Sequence, residues 1–112
     1  MKKIILSSLC FLTFSVHGAV TEEVLLQECR PVGETAYMAS RARQEGIKEE
    51  TVYSKEKKLH GEKFDWPFRE VAIEKAFQIP IKSTVKEKEA ATAEFIENIV
   101  SACLSFKRDQ NR

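Results

Sequence analysis

The sequence predicts an all-α protein: a small bundle of three to four helices closed by one disulfide, Cys29–Cys103. Three observations lead there. Apolar residues recur at three- and four-residue steps between chain breakers, the spacing of one helical face. Four glycines and three prolines punctuate a chain of 112 residues, and β-branched runs are few. The N-terminus has the order of an export signal, which places the cysteines that follow it in an oxidising compartment.

Lys2 and Lys3 form a positive start, and Ile4 to Val16 is an apolar run that ends in small residues. At about 13 residues the run is shorter than the roughly 20 needed to cross a bilayer. It reads as a signal peptide over residues 1–18, followed by a single helical domain over residues 19–112. Cleavage after Gly18 puts Val16 and Gly18 at the specificity positions. Cleavage after Ala19 is the alternative and puts His17 there. Cys10 follows Leu9, where a lipid-attachment box wants a small residue, so Cys10 leaves with the signal.

Cys29 and Cys103 remain, near opposite ends of the mature chain. One disulfide between them suits an exported domain of this size. Two free thiols or an intermolecular bond are the other readings. Closing a loop of about 75 residues contributes roughly 4 kcal/mol by chain-entropy reasoning. That is a large share of the stability of a small domain.

Thr21 is a candidate cap for a first helix running to Cys29, with Glu22 and Glu23 near its positive end. Pro31 is poor inside a helix and good in a first turn, so a break near Arg30 and a second helix over Pro31–Gln44 are expected. Val32, Ala36 and Ala39 form its apolar line, with Tyr37 and Met38 open between core and surface. Gly46 stops it. The charged stretch "KEETVYSKEKKLHGEK" reads as an exposed helix ending at Gly61, with a mobile loop as the alternative. Ile47, Val52, Tyr53 and Leu59 are its buriable residues.

In "FDWPFREVAIEKAFQIP", Asp65 is a candidate cap and Pro67 fits the first turn. Phe68, Val71, Ala72 and Ala76 share one face, and Pro80 stops the helix. Thr84 and Glu87 match a capping box. From Val85 to Phe106, Ala91, Phe95, Ile96, Ile99, Val100 and Cys103 then recur at helical steps. This last helix is the expected spine of the bundle.

The chemistry-bearing residues are sparse. His60 is the one histidine after the signal and reads as a solvated surface residue. Zinc sites take three or four ligands, so no metal and no cofactor are expected. There is no C-x-x-C, no G-x-S-x-G elbow and no glycine-rich phosphate loop. A disulfide at Cys29 also closes the thiolate route. No catalytic residues are therefore expected, and the reading is not an enzyme.

The chain carries 18 Lys and Arg against 17 Asp and Glu. Without Lys2 and Lys3 the count is 16 against 17, a formal charge of −1. That balance has no electrostatic footprint for nucleic acid or an acidic membrane surface. "KFDWPF" is the densest aromatic cluster. Within it Trp66 falls off the apolar helix face and is the candidate partner anchor, while Phe68 reads as core.

Cys29, Ala36, "RQEG" at Arg43 to Gly46, "AFQIP" at Ala76 to Pro80, and Phe95 leading to Cys103 form an ordered set. It resembles a group of small exported bacterial and prophage proteins of unknown function. The resemblance spans Cys29 to Cys103 and implies a helical domain with one disulfide. It implies no catalytic residues. Phe77 stands where the group's Ala-Tyr-x-x-Pro element has its tyrosine.

The expectation is a periplasmic or secreted helical protein that acts by binding an envelope or periplasmic protein, with no membrane span after signal cleavage. The alternatives are a periplasmic acid-stress chaperone and a prophage-encoded enzyme or inhibitor. The acid-stress chaperones and the secretin pilotins share the plan of a small disulfide-closed helical domain, and no motif.

Overall fold

The computed structural model describes residues 21–111, in four helices: α1 Glu22–Gln44, α2 Glu49–His60, α3 Trp66–Ala76 and α4 Val85–Gln110. No strand occurs among the described residues. The expected signal peptide, with Lys2, Lys3, Cys10 and the cleavage after Gly18 or Ala19, lies outside them. The expected all-α bundle closed by Cys29–Cys103 is the fold observed, with Cα atoms 5.9 Å apart across the disulfide.

Local chemistry accounts for most helix ends. The Thr21 side chain accepts from the Val24 amide and starts α1. At its other end, the Gly46 amide donates to the Arg43 carbonyl and the Ile47 amide to the Ala42 carbonyl. These are the two bonds of a Schellman motif, and Gly46 supplies its left-handed residue at φ 81°. The space beside Gly46 is open, so the backbone conformation, not crowding, asks for glycine there. Thr84 and Glu87 form the complete capping box of α4.

Four sequence expectations are corrected. First, α1 is continuous and carries Pro31 in its interior. An internal proline costs about 3 kcal/mol, comparable with the roughly 4 kcal/mol of loop closure that Cys29 brings through its bond. Two α1 turns preceding Pro31 also bury Leu25 and Cys29, so breaking the helix would lose both.

Second, the Asp65 side chain makes no cap bond. It accepts from Arg69 Nε at 3.1 Å instead. Third, the buried face of α3 is Arg69, Ala72, Ile73 and Ala76. The helix is rolled away from Val71, which is exposed.

Fourth, the central element is α1, not the last helix. It packs against α4, α3 and α2, whereas α4 meets α3 only briefly. Its residues explain why. Gly33, Ala36, Ala39, Ser40 and Ala42 are buried, and such small side chains admit neighbours on more than half of the helix circumference. A Cβ built on Gly33 would lie 3.0 Å from Val100 Cγ2, so α1 and α4 are in close contact there.

Two clusters make up the core. The larger joins Ala36, Ala39, Ala72, Ile73, Ala76 and Phe95, with Val52 from α2. The smaller surrounds the disulfide with Val32, Phe68, Ile99, Val100 and Leu104. Because alanine dominates, each helix contact buries modest apolar area, and the covalent tie carries a large share of the stability. Replacing Cys29 and Cys103 together by serine is expected to cost about 4 kcal/mol, read as a lowered midpoint in urea unfolding. An unchanged midpoint would show that α1 and α4 hold together without the covalent tie.

Candidate functional site

Three buried polar residues project from α1, and each secures a different neighbour. Ser40 and Thr92 share a hydrogen bond of 2.8 Å between α1 and α4. Gln44 Nε2 donates to the Pro80 carbonyl, and its Oε1 accepts from the Lys82 amide. That side chain thus grips the loop that leads into α4. Arg43 Nε donates to the Ile79 carbonyl at 2.8 Å, and its guanidinium lies over the Phe77 ring. The segments "RQEG" and "AFQIP" are therefore in direct contact.

The third residue is Thr35, 1 % exposed. Its hydroxyl donates to Glu56 Oε1 and accepts from Arg69 Nη1, each at 2.9 Å. Arg69 also donates to Asp65. Glu56, Asp65 and Arg69 are all buried, so a carboxylate–hydroxyl–guanidinium chain joins α1, α2 and α3. With every member engaged it is a structural junction: no substrate reaches Thr35 unless the helices part. Glu56 reads in the sequence as one more surface charge, and the signal that could flag it is its i+4 step from Val52 on α2.

The exposed chemistry gathers at the disulfide end. Phe64 precedes α3 and is 79 % exposed. The short loop that carries it is braced by bonds from Lys63 N to His60 O and from Trp66 N to Lys63 O. Lys107 Nζ stands 5.3 Å from the Phe64 ring centre and 5.6 Å from that of Phe68. It also pairs with Glu28 at 3.7 Å. Phe68 meets Phe106 edge to face at 5.1 Å. The result is an aromatic platform with an ammonium inserted between two rings, a favourable cation–π arrangement, supported from beneath by the disulfide cluster.

Trp66, the candidate anchor, is half-buried. It packs against the larger core cluster and meets the Tyr53 ring at 5.6 Å. Phe64, two residues earlier, is the more available aromatic, and the sequence reading passes over it because it lies outside any helix period. Phe68 is half-buried, Tyr37 and Met38 are exposed, and so are Ile47 and Leu59. His60 is also half-buried, not solvated, and its Nδ1 lies buried without a hydrogen-bond partner. Among the described residues no group of three or more His, Cys, Asp or Glu is placed to hold a metal ion. None of their helices is long and apolar enough to cross a membrane.

A second surface feature runs between α1 and α4 on the side away from α3. It is a groove of about 700 Å³ lined by Tyr37, Arg41, Glu45, Lys88, Glu89 and Ile96, among others.

Charge pairing perturbs a few exposed groups. Glu22 accepts from Arg108 between the start of α1 and the end of α4, which holds its carboxyl below the ordinary value and pushes Arg108 up. Tyr53 donates to Glu70 at 2.7 Å, and that bond raises its phenol. Arg41 is raised by its contact with Tyr37 and then by Glu45.

Fold and site together define a small disulfide-closed helical protein with an aromatic, cation-bearing end. Compared with family models, with curated proteins and with solved structures, the chain matches none.

Thr35→Val keeps the shape of the junction and deletes its hydroxyl. It is expected to destabilise by about 2–3 kcal/mol, since Arg69 and Glu56 each lose a buried partner. Thr35→Ser should recover most of that loss, and chemical denaturation of the two variants measures it. For Glu22 the folded value lies below the unfolded one. The contact with Arg108 therefore contributes above the unfolded value and is lost as pH falls through the folded one. Carboxyl NMR should place the Glu22 midpoint below 4.5, and Arg108→Gln should return it upward.

Proposed function

We propose that this chain is an exported, non-catalytic binding or accessory protein of the periplasm or cell envelope, and that its partner is an envelope or periplasmic protein. The observation that carries the reading is the platform at the disulfide end. Phe64 is presented to solvent by a braced loop, beside Lys107 and above a covalently closed cluster. Aromatic side chains on rigid supports bind partners at low entropic cost. The disulfide and the lack of a membrane-length apolar helix among the described residues are compatible with an extracytoplasmic location. The polar groups with catalytic potential are buried in the α1–α2–α3 junction and occupied by one another, which supports the non-enzymatic reading.

A second reading, an acid-stress chaperone, draws support from the same junction. Strong acid neutralises carboxylates, and that would leave Arg69 charged and buried between α1 and α3 without its counter-charge. Near-ultraviolet circular dichroism from neutral pH to about pH 2 tests it: native-like side-chain signals at the acid end would remove this reading.

For the leading reading, Phe64→Ala and Trp66→Ala are compared in crosslinking and capture from envelope extracts. Phe64→Ala is expected to lose the captured partner while keeping the native helix signal and unfolding midpoint. Trp66→Ala is expected to weaken capture and to cost stability as well, because the ring packs on the core. Capture that survives Phe64→Ala would place the partner site elsewhere.

A further inference from the structure

We propose that α2 opens from the bundle as a unit, ahead of the other helices, and that its opening releases the loop that presents Phe64. The opening rests on how α2 is seated. Its bearing on partner capture rests on the platform reading above.

Little holds α2 that water cannot replace. Of its 12 residues only Val52 and Glu56 are buried. Glu56 accepts from Thr35, and Tyr53 donates to Glu70. Both bonds join a hydroxyl to a carboxylate. On opening each partner regains water, so these bonds add modest net stability. The apolar share is Val52, with the half-buried Tyr53 ring against Trp66. An open cleft of about 660 Å³ also parts the first turns of α2 from Phe77 and Ile81, so that side of the helix forgoes packing. The other helices are seated differently. Cys29–Cys103 ties α4 to α1, and Ala72, Ile73 and Ala76 of α3 are fully buried.

Once detached, α2 has no means to persist. Helices of its length are marginal in water, and Lys48 gives the first turn no side-chain cap. Its junction with α1 is soft. The backbone bonds of the Schellman turn end at Ile47, and those of α2 begin at Lys48. The helix can therefore leave without undoing the end of α1.

Its junction with the next loop is firm. The Gly61 amide donates to the Lys57 carbonyl at 2.7 Å, and the Lys63 amide to the His60 carbonyl at 3.0 Å. Both acceptors belong to the last turn of α2. A Cβ on Gly61 would lie 2.5 Å from the Lys57 oxygen, so the chain turns tightly against the helix end. Phe64 follows directly. Its other brace is the bond from the Trp66 amide to the Lys63 carbonyl, on the same residue whose amide α2 holds. Melting α2 removes the fixed acceptors at Lys57 and His60, and Phe64 then loses its seat beside Lys107. The helix is thus a latch on the platform.

Native-state hydrogen exchange on the full chain, with the disulfide intact, tests both parts. The α2 amides and the Lys63 amide are expected to exchange through one shared opening. After correction for intrinsic rates, it should be at least about tenfold more frequent than the opening of the most protected amides in α1 and α4. Val52→Ala, which takes apolar contact from α2, should speed Lys63 by the same factor as the α2 amides. Tyr53→Phe deletes the bond to Glu70 and should give a smaller shared factor; it carries the test if Val52→Ala unfolds the chain. Amides of α2 that exchange only together with α1 and α4 overturn the opening. A Lys63 amide unmoved while the α2 amides speed up overturns the latch. Neither readout involves a partner, so a failed latch and a failed platform reading are separate outcomes.

Discussion

The close approach of three helices to α1 is the constraint on which the rest of the structure depends. Small residues on α1 permit it, and they limit how much apolar area each contact can bury. A surface of alanine and glycine also offers few large side chains to lock one arrangement against its neighbours. The chain meets that shortage with direction-bearing bonds. Thr35, Ser40 and Gln44 lie in the same small-residue surface and each pairs with a different part of the fold. Buried hydrogen bonds of this kind add modest net stability, but they are costly to leave unmade. They therefore select one packing of the helices over sliding alternatives.

The disulfide supplies from outside that surface what the core does not. It joins α1 to α4 two residues before Pro31 on α1, so the covalent tie and the least stable helical step lie together. The same cluster supports the aromatic platform. Phe68 packs downward on the disulfide cluster and sideways on Phe106, and Lys107 rests between Phe68 and Phe64. Rigidity at that end comes from the covalent bond between Cys29 and Cys103. The presentation of Phe64 is thereby linked to the redox state of the chain.

The two faces of the α1–α4 pair differ in what covers them. Toward α3, Phe95 is buried in the alanine-rich core. Away from α3, Tyr37, Val85 and Ala93 meet solvent between walls that carry both signs of charge. An uncovered apolar strip on one side and an aromatic platform on the other are distinct surfaces.

Much of the fold was legible in the sequence wherever the signal is local. The Thr84–Glu87 capping box, the Gly46 stop and the heptad-like run of α4 depend on residues within a few positions of one another, so periodicity and cap chemistry reveal them. The pairing of Cys29 with Cys103 followed from their number once export was assumed. The continuity of α1 through Pro31, the roll of α3 that buries Arg69 and Ile73, and the central place of α1 were not legible. Nor was Phe64, which has no period to announce it.

Each of those features depends on partners distant in sequence. Thr35 meets Glu56 across 21 positions, and Ser40 meets Thr92 across 52. Sequence by itself determined the helix ends marked by local caps, at Thr21, Gly46 and Thr84, because a helix is a contract among residues four apart. Only the tertiary structure decided which polar groups go inside, because a buried charge is tolerable only where its partner has already been brought.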